Sequence, residues 1–160
     1  MTDIFCCQTS KEFLDTACRE FFYFANLRSK KEILVSLSGG RTPFPFYKEL
    51  AIRATEMNMT KHLFFIQTDE RNISSDSERS NQRAIFEALF NHNRLSANHF
   101  FPIISKKNDY ETCFDNCFKN LPRHLFPPRP IDIAIMGMGN DGHTASLFPD
   151  TDWKNSESLT

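Results

Sequence analysis

The chain has 160 residues, 40% hydrophobic and 24% charged, with a formal net charge of −1 at pH 7. That is enough chain to bury one sizeable core, in the proportions of a soluble globular protein. The near-neutral balance leaves no electrostatic case for nucleic acid or a membrane surface, and no run approaches the ~18 consecutive apolar residues of a membrane span.

The opening "MTDIFCCQTSKEF" lacks the basic start, long apolar run and small-residue cleavage site of a secretory signal. Five cysteines cannot all pair, so a reducing, cytoplasmic setting is expected. "KEFLDTACREFFYFA" places Phe13, Leu14, Ala17, Cys18, Phe21, Phe22 and Ala25 on one helical face. "EILVSL" reads as a short buried strand, closed by Ser38, Gly39 and Gly40. Residues 43–56 follow as a helix with Pro43 in its first turn, and Thr42 is a candidate cap. "HLFFIQ" is a second buried strand and "SERSNQRAIFEALFNH" a third helix. "HFFPI" is a weak strand, placed at an edge because Pro102 cannot donate to a ladder.

In "DYETCFDNCFKNL", Tyr110, Cys113, Phe114, Cys117, Phe118 and Leu121 share one helical stripe. With no second ligand pair downstream, Cys113 and Cys117 are read as buried thiols and no metal is expected. Four prolines between 122 and 130 precede "IDIAIMG", the clearest strand. Apolar strands alternating with helices predict an α/β, Rossmann-like, doubly wound and mostly parallel sheet with helices on both faces. Residues 1–160 read as a single domain without internal repeats.

In such sheets ligands bind beyond the carboxyl ends of the strands. Three loops qualify: "SLSGGRTP", "QTDERN" and "GMGNDGHTAS". In the first, Gly39 and Gly40 permit close backbone approach, the following helix start favours an anion, and Ser38, Arg41 and Thr42 add polar groups suited to phosphate. A plain strand-to-helix turn is the alternative. The second loop offers Asp69 and Arg71 to sugar hydroxyls or phosphate, whereas Glu70 reads as part of a solvated loop.

The third loop matches G-x-G-x-x-G through Gly137, Gly139 and Gly142, yet no strand ending in an acidic residue follows it, so dinucleotide binding is rejected. Catalysis fits better: His143, expected at a helix start, becomes a general base oriented by Asp141. Ser146, one turn into that expected helix, makes a poor nucleophile. The residues by themselves indicate a phosphate-binding crevice with a His–Asp pair.

With "LSGGRTP", "TDER" followed by Ser80–Asn81, and "DIAIMGMGNDGHTASLFP", the sequence resembles the 6-phosphogluconolactonases of the glucosamine/galactosamine-6-phosphate isomerase superfamily. The likeness runs from about residue 10 to 150. Isomerising and deaminating relatives tend to carry Asp-Glu-Tyr where Asp69-Glu70-Arg71 stands, and Asn-Glu-Pro in place of "SLFP". The resemblance implies hydrolysis of 6-phospho-D-glucono-1,5-lactone in the oxidative pentose phosphate pathway, without metal or other cofactor. It assigns Ser38, Gly39, Gly40, Arg41, Thr42, Asp69, Arg71, Asn81 and Gly139 to substrate and Asp141 with His143 to catalysis. Many members have serine where Arg41 stands.

Members also continue beyond this motif with further strands and helices, where this chain has "TDWKNSESLT". A C-terminally shortened fold is therefore expected, monomeric or dimeric through an exposed sheet edge. A non-catalytic sugar-phosphate-binding remnant and an isomerase or deaminase of the superfamily are the alternatives.

Overall fold

The computed structural model describes residues 2–27, 32–91, 94–103, 116–125 and 130–151. Its elements in chain order are α1 (Ser10–Leu27), β1 (Ile33–Leu37), α2 (Phe44–Glu56), β2 (Leu63–Gln67), α3 (Asn81–Leu89), β3 (Phe100–Phe101) and β4 (Ile133–Ile135).

All strand pairs are parallel, in the order β3-β2-β1-β4. The chain therefore runs outward from β1 through β2 to β3, then returns to lay β4 on the other side of β1. The connections leaving β1 and β4 diverge at their carboxyl ends, which creates the crevice that open parallel sheets use for ligands.

Alternation along the strands explains the two-sided core. Ile33, Val35, Leu37, Leu63 and Phe65 pack with Cys18, Phe21, Phe46, Leu50 and Ile85 of the three helices. The intervening Leu34, Phe64 and Ile66 point the opposite way, against Ile103, Cys117, Leu121 and Leu125. Each fully buried aliphatic or aromatic side chain contributes ~1.5–3 kcal/mol, so β1 and β2, buried at every position, are the anchors of the fold.

Local chemistry sets the helix boundaries. Thr9 Oγ1 accepts from Glu12 N (3.1 Å) while the Glu12 carboxylate accepts from Gln8 N (2.7 Å), a reciprocal cap for α1. Thr42 does not cap α2. Pro43 occupies that position without any side-chain hydrogen bond, its ring holding φ at −79°. Helix α3 is shorter than expected: residues 77–80 form turns, and Ser80 caps the helix by accepting from Arg83 N at 3.2 Å.

Phe13 also departs from expectation. Instead of entering the core it is 46% exposed, on the rim of an apolar groove shared with Phe24 and Ile133. Of the three-residue β4 only Ile133 and Ile135 pack on the core beneath α1, which leaves this end of the helix stripe incompletely covered. β3 is likewise brief and lies at the sheet edge, as Pro102 anticipates.

Tyr110, Cys113 and Phe114 lie outside the described residues. Cys117 and Leu121 are buried, and the Cys117 Sγ donates to the Phe101 carbonyl at 2.9 Å. Burial pushes the Cys117 thiol up to about 12.

Candidate active site

The three strand-end loops meet at one crevice of about 160 Å³. Ser38, Gly39, Gly40 and Thr42 form one wall, Asp69, Arg71 and Asn81 a second, and Gly139 and His143 a third. Arg41 is exposed and does not line the crevice, and Asp141 reaches it only through His143. Pro43, Gly137, Met138 and Ala145 complete the lining; the sequence singled out Pro43 and Gly137 only for the helix start and the glycine pattern, and Met138 and Ala145 not at all.

The first wall is a turn of unpaired backbone donors. Gly40 has φ = +93°, a conformation that glycine tolerates and other residues rarely adopt. The backbone N–H groups of Gly39, Gly40, Arg41 and Thr42 have no acceptor among the described residues. Behind them stands the start of α2, where, among the same residues, Phe44 and Phe46 keep N–H groups without an acceptor while Pro43 and Pro45 have none to offer. Tyr47, one turn into α2, donates its buried hydroxyl to the Ser38 carbonyl at 2.7 Å and fixes the end of β1. Burial pushes that phenol well above its ordinary value, so it remains a donor at all working pH values.

The second wall depends on a residue that was expected to be solvated. Glu70 is buried (5% exposed), and its carboxylate accepts from Gln67, Ser80 and three backbone amides. Asn81, also buried, donates its side-chain amide to both the carbonyl and the Oδ1 of Asp69 (3.2 and 3.3 Å). A Cβ at Gly39 would collide with the Asn81 side chain, so this glycine is needed for space rather than for φ. The Arg71 guanidinium has no ion-pair partner among the described residues.

The third wall overturns one expectation. No helix begins at His143; residues 136–151 form turns, with one isolated bridge between Thr144 and Leu147. Left-handed backbone at Gly142 (φ +86°) and Ala145 (φ +49°) breaks any helical path. The loop instead folds on itself through Gly139 N to His143 O (2.8 Å) and Thr144 Oγ1 to Gly137 O (2.9 Å). Ser146, set aside in the sequence reading, donates to Asp69 Oδ2 at 2.6 Å and ties the third wall to the second.

His143 Nδ1 pairs with Asp141 Oδ1, and the ring lies 4.7 Å from that of Phe148. An ionised carboxylate only accepts, so Nδ1 carries the proton and Nε2 is left with its lone pair. The bond from the imidazole holds the Asp141 carboxyl below its ordinary value. Gly139 allows this pairing, since a Cβ there would strike both His143 and Asp141.

Residues 9–160 match the profile of the glucosamine-6-phosphate isomerases/6-phosphogluconolactonase family. The chain belongs to that family. It is 35% identical over 134 residues to 6-phosphogluconolactonase of Helicobacter pylori (strain ATCC 700392 / 26695), covering 83% of this chain and 54% of the relative. Over 134 residues it is 34% identical to the Thermotoga maritima enzyme of the same name, covering 83% and 57%. A crystal structure of 6-phosphogluconolactonase from Thermotoga maritima superposes with a TM-score of 0.71 at 30% identity, over 87% of this chain and 63% of that one. The α/β fold is thus the family's own. The chain spans a little over half the length of the curated relatives it matches.

Proposed function

We propose that the chain carries a sugar-phosphate site of the lactonase branch and opens 6-phospho-D-glucono-1,5-lactone to 6-phosphogluconate. The observation that carries this reading is the shared crevice: a glycine-rich wall of free amides and a His–Asp pair face one small space. The 6-phosphate would sit on the amides of Gly39 to Thr42 at the start of α2, with Arg71 as its counter-charge. Asp69 and Asn81 would meet the sugar hydroxyls.

In the reaction, His143 Nε2 takes a proton from water as its oxygen attacks the lactone carbonyl carbon. Asp141 holds the ring in the required tautomer and stabilises the imidazolium. Backbone N–H groups receive the oxyanion. Collapse breaks the bond to the ring oxygen, which takes the proton back from His143, leaving the free acid. The relatives' names support the substrate, and "TDER" with "SLFP" favours the lactonase over the isomerase.

The test is the decay of freshly generated lactone against a buffer control, with a titration of 6-phosphogluconate alongside. Acceleration that His143→Ala abolishes, with the fold intact by circular dichroism, supports the reading. Binding without acceleration reduces the chain to a sugar-phosphate-binding unit, and neither effect removes the assignment. Ammonia release from glucosamine 6-phosphate would move it to the isomerase branch.

A further inference from the structure

The carboxylate of Glu70 has five hydrogen-bond partners, and all five are donors. Oε1 accepts from the backbone N–H of Arg71 (2.6 Å) and of Asn81 (2.8 Å). Oε2 accepts from Gln82 N (2.6 Å), Gln67 Nε2 (3.0 Å) and Ser80 Oγ (3.1 Å). Gln67, the last residue of β2, is itself oriented because its Oε1 accepts from Ile103 N at 2.8 Å. Among the described residues no charged side chain bonds to the Glu70 carboxylate. Five converging donors around an ionised acceptor define a charge-assisted hub.

The hub has two consequences. Asn81 and Gln82 are the first two residues of α3, so their amides, which a helix start would otherwise offer to a ligand, are occupied. Of the two helix starts beside the crevice, that of α2 is the less occupied, with donors at Phe44 and Phe46 but none at Pro43 and Pro45. Second, two of the five partners, Arg71 and Asn81, line the crevice, and Asn81 in turn holds Asp69.

We propose that Glu70 is a positioning residue for substrate binding. Its carboxylate fixes the backbone of Arg71 and Asn81, and through Asn81 the Asp69 carboxylate, so its loss weakens the grip on the sugar phosphate rather than the bond-making step at His143. This rests on the sugar-phosphate reading of the crevice. Glutamine cannot replace it: the side-chain NH₂ would face either Gln82 N or the amides of Arg71 and Asn81, donor against donor.

The experiment compares the wild-type chain with Glu70→Gln and Glu70→Asp, measuring lactone kinetics, 6-phosphogluconate affinity and amide hydrogen exchange. Glu70→Gln raises KM and the 6-phosphogluconate Kd about tenfold, and in every case by more than it lowers kcat. The amides of Arg71, Asn81 and Gln82 lose protection while those of β1 and β2 keep theirs. An unchanged KM, or a fall in kcat as large as the rise in KM, overturns the proposal. Should Glu70→Gln not fold, Glu70→Asp, which keeps the charge on a shorter arm, is judged by the same split. If the wild-type chain neither turns over lactone nor binds 6-phosphogluconate, the functional reading fails by itself. Amide exchange then decides the hub alone: protection retained in Glu70→Gln refutes it, and selective loss upholds it.

Discussion

Ser146 and Asp69 are 77 positions apart in sequence, yet the Ser146 hydroxyl donates to Asp69 Oδ2 at 2.6 Å. This is a direct side-chain tie between the loop that carries His143 and the loop that carries Arg71, beside the longer contact of Thr68 Oγ1 with Met136 Sδ. An exposed bond of this kind contributes only ~0.5–1.5 kcal/mol net, so its loss leaves the fold standing. Ser146→Ala is expected to raise KM by about three- to tenfold and to speed amide exchange over residues 137–147. Steady-state kinetics and mass-spectrometric exchange check both.

Gly39 and Gly40 are adjacent but matter for different reasons. Alanine at 39 meets the Asn81 side chain, whereas alanine at 40 meets open space but must adopt φ = +93°. Gly39→Ala should therefore impair sugar-phosphate affinity tenfold or more and also cost ~1–3 kcal/mol of stability, because Asn81, buried and bonded to Asp69, must swing away. Gly40→Ala should cost ~1–2 kcal/mol of stability from left-handed strain. Thermal melts and binding titrations on the two variants separate space from strain.

Asp141 is held below the ordinary carboxyl value by its bond to His143, so it stays anionic at every pH above that value. The sign follows: stability from this pair is present above the unfolded carboxyl value near 3.8 and disappears as pH falls through the lower folded value. Any acid-side loss of activity above pH 4 then belongs to another group. Asp141→Asn removes the negative charge and allows a side-chain NH₂ to face Nδ1, so the tautomer is no longer enforced, and should lower kcat by on the order of 10²-fold. A pH–rate profile of both proteins is the check.

The buried thiols should behave as core residues. Burial pushes Cys18 to about 11 and Cys117 to about 12, while Cys6 is exposed. At pH 8 iodoacetamide should modify Cys6 quickly and leave Cys18 and Cys117 intact until the chain unfolds, as peptide mapping would show. Because both folded values lie above the unfolded one, stability contributed by these thiols is complete below pH 9 and falls as pH rises toward 11–12.

The parts of the fold that depend on periodicity were legible in the sequence. The continuous apolar runs at 33–37 and 63–67 and the stripe from Cys18 to Ala25 required burial on known faces, and strand-end loops followed from the alternation. The convergence of Gly39, Asp69 and His143 followed from parallel topology alone. What escaped was partner choice. Nothing in "TDER" shows that Glu70 turns inward to five donors while Arg71 turns out, since both are charged and flank the same turn. The turn chemistry of "GHTASLF" was hidden as well, because Ala145 has no propensity for its positive φ and adopts it only under the constraint of Ser146 and Thr144. Tyr47 carried no signal in the sequence, and only the packed structure reveals its bond to Ser38.

The pairing of β1 with β4 also has a consequence for biosynthesis. Leu34 bonds to Asp132 across 98 residues, so β1 leaves the ribosome with one flank bare until β4 has been translated. At typical elongation rates that wait is roughly 5–20 s. Over that interval the nascent chain can form the Gly39–Thr42 turn but not the wall that carries His143, and the bare flank of β1 is the place where a chaperone, or a misplaced strand, would take hold.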